Sequence, residues 1–324
     1  MAQNIHGQWS NIGDGNSNCG NVTDSFNTIY KSDEDAQIMR WLSPLEPNTR
    51  HQGVRTERFD GVGDWVLEIR EFREWKGSGA GADKAVLFCS GNPGVGKTYL
   101  RQVVRFIERI QLTARNTSSL VIDRLCDQAK DRDIAVVGLY CDFLAQKEQT
   151  ITNMMGAILK QLVRRGDIPE DVRKAFQEGK KEFGGRGLLL SDLMGMLKIA
   201  IASLSQVFIC IDALDECLPR HLPGLLESLK DIVRESPETR IFLTGRPHVA
   251  GALRRYFPEA VVVPINPRAD DIKNYIAMRL DRDDEPDAMD NSLRVDIVEI
   301  ILDKMSDMCV GAFNASTLSL IYIY

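Results

Sequence analysis

The run Gly91-Asn92-Pro93-Gly94-Val95-Gly96-Lys97-Thr98 has the spacing G-x-x-x-x-G-K-[ST] and directly follows an apolar stretch, Ala85–Cys89. Glycines at that spacing let the backbone curl until successive N–H groups point inward, and a helix opening near Lys97 adds its positive N-terminal end. A polyphosphate is the group that suits such a cradle. Lys97 is expected to reach the β- and γ-phosphates, and the Thr98 hydroxyl to ligate Mg²⁺. A second apolar run, Val207–Ile211, ends in Asp212, as required of a strand that delivers one carboxylate to a metal shell. Asp215 and Glu216 follow within four residues, where a further carboxylate can orient or deprotonate an attacking water. A third run, Arg240–Leu243, leads through Thr244-Gly245 to Arg246. An arginine there can sense a γ-phosphate, because its planar fork pairs bidentately with phosphate oxygens; the competing explanation is a surface salt bridge.

Strands must bring these groups together. Ala85–Cys89, Ile134–Tyr140, Val207–Ile211, Arg240–Leu243 and Ala260–Pro264 are mostly continuous apolar runs rather than alternating ones, which predicts strands buried on both faces. Helical stretches are predicted near 151–165, 169–182, 190–204, 221–235 and 270–280, with another after Thr98 whose apolar side carries Val103, Val104, Ile107 and Ile110. The alternation predicts a doubly wound, mostly parallel α/β domain, with ligands at the carboxyl edge of its sheet. Before it, Ser32 is a candidate N-cap for a short helix to about Leu42, residues 43–60 read as a polar connector, and 64–75 carry one or two short helices with a broad apolar face. Residues 4–30, rich in Asn, Gly and Ser, read as a disordered tail; the alternative is an amyloid-type motif in which Asn ladders stack beside Val22, Phe26 and Ile29. Arg101, Arg105 and Arg109 make a basic stripe that reads as a solvated face.

A net charge of −6 and a pI near 5.4 argue against a general nucleic-acid binder. The 7 cysteines form no C-x-x-C pair, and Cys89, Cys141 and Cys210 sit in apolar runs, which suggests small hydrophobes in a reducing compartment. No apolar run is long enough for a membrane span, and a soluble, cytoplasmic protein is expected.

In order and spacing, Gly91–Thr98, Phe208–Cys217 and Ile241–Pro247 resemble the NACHT-type P-loop NTPases of the signal-transducing ATPases with numerous domains, especially the fungal NOD-like receptors. Gly61–Leu67 with Glu71–Trp75 is similar to that family's lead-in, and Leu139–Phe143, Gln161-Leu162 and Asp271–Ile276 fall where it places similar residues. The resemblance covers about 40–280. It implies a sheet in which the strand leading to Arg246 lies between the strands of the phosphate loop and of Asp212, gathering Lys97, Asp212 and Arg246 around one triphosphate. It also implies a tail at 1–31, a helical lead-in and linker at 32–84, the NTPase core at 85–280, and the start of a further helical region at 281–324. Relatives continue into winged-helix and repeat regions; this sequence ends at Tyr324, and Cys309–Leu318 departs from the helix expected there, as a truncated gene model would. The expected activity is Mg²⁺-dependent binding and slow hydrolysis of ATP, with ADP as product and GTP the alternative, as a signalling switch in fungal innate immunity or non-self recognition. Homo-oligomerisation of the active form and an effector reached through the N-terminal segment are implied with it. A nucleotide-holding scaffold without turnover and a metabolic P-loop enzyme are the other readings.

Overall fold

The computed structural model describes residues 33–58, 61–77, 84–91, 112–129, 133–181, 187–265 and 268–281, with a few further positions up to 299. Asn92–Thr98, the N-terminal tail, the arginine stripe, the helix predicted after Thr98 and Cys309–Leu318 lie outside the described residues. The described chain begins with α1 (Asp33–Leu42), α2 (Pro47–Glu57), a 3-10 turn (Asp64–Leu67) and α3 (Arg70–Lys76). It continues through β1 (Val86–Gly91), α4 (Leu112–Ala129), β2 (Ile134–Tyr140), α5 (Ile151–Val163), α6 (Glu170–Lys181) and α7 (Leu190–Ala202). Then come β3 (Gln206–Asp212), α8 (Leu222–Glu235), β4 (Thr239–Gly245), α9 (Ala250–Tyr256), β5 (Val261–Ile265) and α10 (Ala269–Asp281).

The five strands form one all-parallel sheet in the order β2-β3-β4-β1-β5. The strand leading to Arg246 thus lies between the other two, as the resemblance implies. Along each strand, alternate residues enter opposite layers. Val207, Ile209 and Ile211 of β3 join Val86, Phe88, Ile241 and Leu243 beneath α1 and α5–α9, while Phe208 and Cys210 join Leu87, Cys89 and Phe242 beneath α3 and α4. Burial on both faces is why the strands read as mostly apolar runs without alternation. All five described cysteines are free and buried, and burial pushes the Cys89 thiol up to about 12 and the Cys217 thiol up to about 11.

The lead-in is fastened to this core at several points. Trp75 donates its indole N–H to the Ala85 carbonyl at 3.0 Å and packs against Phe72, Phe208 and Phe242. Gly156 of α5 lets the end of α1 come close, since a Cβ there would stand 2.0 Å from the Leu42 carbonyl oxygen. One turn on, the buried Lys160 donates to the carbonyls of Ser43 and Leu45 at 3.0 and 3.1 Å and pairs with Glu46. Much of the connector predicted over 43–60 is in fact helix α2. Pro47 suits its first turn, but among the described side chains of α2 only Pro47, His51 and Val54 are buried, and Val54 is its single large aliphatic residue, so the apolar stripe that marks a helix in sequence is missing. Helices α4 and α9 were likewise not predicted.

Candidate functional site

Parallel pairing sets Cys89 beside Thr244, Ser90 beside Gly245 and Ile211 beside Leu243. The carboxyl ends of β1, β4 and β3 therefore stand side by side, which brings Gly91, Arg246 and Asp212 to one edge. Asp212 is 2% exposed, and its Oδ1 accepts hydrogen bonds from Ser118 Oγ and Thr244 Oγ1, both at 2.6 Å. A buried carboxylate is tolerable when such donors compensate it.

Beyond Asp212 the chain turns through Ala213, the single non-glycine residue with positive φ among the described residues, at φ 54° and ψ 49°. A left-handed alanine costs roughly 1–2 kcal/mol. Its N–H donates to Thr244 Oγ1 at 2.9 Å, so β4 holds the turn in place. The 3-10 turn Leu214–Glu216 that follows is anchored by the fully buried Leu214. It sends its two carboxylates in different directions. Asp215 receives the backbone N–H of Arg246 at 3.1 Å on Oδ1 and pairs with Arg246 Nε at 2.9 Å through Oδ2. Glu216 accepts from the Phe143 N–H at 3.1 Å and, through its carbonyl, from Gln146 Nε2 at 2.8 Å. The structure thus brings Asp212, Asp215 and Arg246 to the same edge and ties Glu216 to the turn after β2. Lys97, Thr98 and the residues Asn92–Gly96 lie outside the described residues. The salt bridge weighed for Arg246 is present, with Asp215 as its partner.

Ser118 and Thr244 were not singled out from the sequence. A signal was there: Thr117-Ser118-Ser119 places three consecutive hydroxyls, all buried, directly before the apolar run Leu120-Val121-Ile122 of the same helix. The same helix carries Asp123, which accepts from His51 Nε2 at 3.0 Å and from Arg58 at 2.8 Å; the other ring nitrogen of His51 meets the Tyr140 hydroxyl at 2.6 Å. Burial pushes the Asp123 carboxyl up, but the hydrogen bond from His51 and the charges of His51, Arg58 and Arg55 outweigh it and hold it below its ordinary value. Tyr140 is raised by burial and then by the neighbouring charge of Asp212, with which it is in register.

The residues present fit Mg²⁺ bound together with phosphate. That ion takes one or two carboxylates plus phosphate oxygens and water rather than an all-protein cage. The donor set agrees: the buried carboxylate of Asp212 stands at the edge where β1 ends, and no cluster of three or more His, Cys, Asp or Glu among the described residues could cage a metal unaided.

The model of the family described as Nephrocystin 3, N-terminal matches residues 61–246, more than half of the chain, from the second part of the lead-in to Arg246. The chain belongs to this nephrocystin 3 N-terminal family. The vegetative incompatibility protein HET-E-1 of Podospora anserina is 26% identical over 207 residues, which span 61% of the chain and 13% of that protein. The chain thus corresponds to a small part of that relative's length. These matches bear out the NACHT-type P-loop NTPase resemblance of the motifs. Among solved structures, that of the Aeropyrum pernix ORC1 protein in complex with DNA matches with a TM-score of 0.34 at 15% identity, covering 75% of this chain and 52% of that one. The α/β assignment rests on the sheet itself.

Proposed function

We propose that this nephrocystin 3 N-terminal family member is a Mg²⁺-dependent nucleotide switch that binds ATP and hydrolyses it slowly to ADP. The observation that carries the reading is the convergence of Gly91, Asp212 and Arg246 at the carboxyl ends of three adjacent parallel strands, with G-x-x-x-x-G-K-T beginning at the first of them. In this reading Gly91–Gly96 cradle the phosphates, Lys97 neutralises them, and Thr98 with Asp212 holds the metal, whose charge offsets that developing on the phosphoryl oxygens. Glu216 and Asp215 orient or deprotonate the attacking water, and Arg246 exchanges Asp215 for the γ-phosphate. ATP is favoured over GTP because the sequence holds no Asn/Thr-Lys-x-Asp guanine signature. Residues 32–84 are the lead-in, 85–280 the NTPase core, and 281–324 the start of a further helical region. By analogy with the incompatibility protein the switch serves non-self recognition in the cytoplasm, assembling in its active form and signalling through residues 1–31. Among the described residues no helix is long and apolar enough to cross a membrane.

A second reading, nucleotide held without turnover, is supported by one observation. Both candidate water-activating carboxylates are already engaged, Asp215 by Arg246 and Glu216 by Phe143 N–H. Purified chain incubated with ATP and with GTP, with bound nucleotide and released phosphate measured together, separates the readings. Binding with release supports the switch, binding without release supports the holder, and no binding of either refutes both.

A further inference from the structure

We propose that Thr244, with Ser118, is a positioning residue that sets Asp212 for the metal ion and couples that carboxylate to the strand bearing Arg246. The inference deepens the nucleotide-switch reading and rests on it. The Thr244 hydroxyl does two jobs at once. It donates to Asp212 Oδ1 at 2.6 Å and accepts the Ala213 N–H at 2.9 Å. One oxygen therefore ties the end of β4 to both the last residue of β3 and the first residue of the left-handed turn that follows. Ser118, reaching from α4, donates to the same Oδ1 at 2.6 Å and lies 3.3 Å from Thr244 Oγ1. Thr244 and Ser118 are wholly buried. Two hydroxyl donors on one carboxylate oxygen fix the rotation of the carboxyl group, and such outer partners tune a metal ligand's orientation and basicity.

The coupling follows from chain connectivity. Thr244 is two residues from Arg246, and Ala213 is two residues from Asp215, the partner of Arg246. The ends of β3 and β4 are thus joined twice, by the buried Thr244 hydroxyl and by the Arg246–Asp215 pair nearer solvent. When Arg246 leaves Asp215 for a phosphate, Thr244 keeps the two ends in register and carries any shift of β4 to Asp212.

The test measures ATP affinity of the full chain by titration calorimetry, in Mg²⁺ and in EDTA, for wild type, Thr244→Val, Thr244→Ser and Ser118→Ala, with melting curves in EDTA as a measure of folding. Valine keeps the shape and branching of threonine and loses the hydroxyl. The expected result is a roughly 10-fold or greater loss of the Mg²⁺-dependent gain in ATP affinity for Thr244→Val, with affinity in EDTA unchanged. Ser118→Ala should lose a smaller part of that gain, and Thr244→Ser should retain it. A Thr244→Val protein that melts lower but keeps the wild-type Mg²⁺ gain would overturn the inference and leave a purely structural hydroxyl. Wild type that binds ATP equally in Mg²⁺ and EDTA, or not at all, would instead overturn the nucleotide-site reading, and this inference with it.

Discussion

Replacing Asp215 by asparagine should raise the affinity for ATP relative to ADP. In the structure Arg246 is held by Asp215 through two contacts of different kind, a backbone N–H to Oδ1 at 3.1 Å and a charged Nε to Oδ2 at 2.9 Å. Asparagine keeps an oxygen for the N–H and removes the charge, so the turn stays while the ion pair weakens. The Arg246 side chain is 45% exposed although Asp215 is only 9% exposed, so the pair is discounted for solvent to the range of surface bridges, about 0.5–1 kcal/mol. If Arg246 must leave Asp215 to reach a γ-phosphate, that energy is returned to ATP binding and not to ADP binding. The ratio of the two affinities should then rise about 2–5-fold. Paired titrations of ATP and ADP in Mg²⁺ measure it, with Arg246→Ala as the control expected to abolish the wild-type preference for ATP. A ratio in Asp215→Asn that is unchanged or lower, with a preference lost in Arg246→Ala, would show that Arg246 meets the phosphate without giving up Asp215, and the exchange would be refuted.

Lys97→Ala should abolish stabilisation by MgATP, which at 100 times its Kd adds about 2.7 kcal/mol and a rise of several degrees in Tm. Glu216→Gln should bind ATP normally while phosphate release falls about 10²–10⁴-fold; loss of binding there, with Asp212→Asn unaffected, would reverse the two roles. Lys160→Met should destabilise by about 2–5 kcal/mol in chemical unfolding, because the carbonyls of Ser43 and Leu45 lose their buried donor. Asp123 has its folded value depressed, so its contribution is complete above the ordinary carboxylate value near about 4 and is lost as pH falls through the lower folded value. Acid unfolding of wild type should therefore steepen there, and Asp123→Asn should flatten that limb.

The sheet and the charged edge were legible because each rests on a local pattern. Five mostly continuous apolar runs predicted five strands, and each appears within two residues of its predicted bounds. Asp212 and Arg246 were legible for the same reason, each following a strand-like run directly. What escaped lacks any such pattern. Residues 47–57 are helical, but His51, Arg55 and the adjoining Arg58 spend their side chains on the single carboxylate of Asp123, a partner more than 60 residues away, so no apolar stripe announces the element.

Gln161 shows the limit most plainly. Strand β2 is an edge strand, and its Gly138 would leave one N–H and one carbonyl unpaired on the side away from β3. Gln161 of α5 supplies both partners, accepting from the Gly138 N–H at 3.0 Å and donating to its carbonyl at 2.9 Å, as a neighbouring strand would. Gln149 does the same a step further along, accepting from Asp142 N–H and donating to the Tyr140 carbonyl. These two amides close the sheet edge next to the turn that holds Glu216. Their partners are backbone groups, which carry no side-chain identity in a sequence, so periodicity and spacing have nothing to register. A glutamine in a helix reads as a solvated residue until the strand beneath it is known, and for the same reason Thr244 reads as the last residue of a strand until Asp212 and Ala213 are found on either side of its hydroxyl.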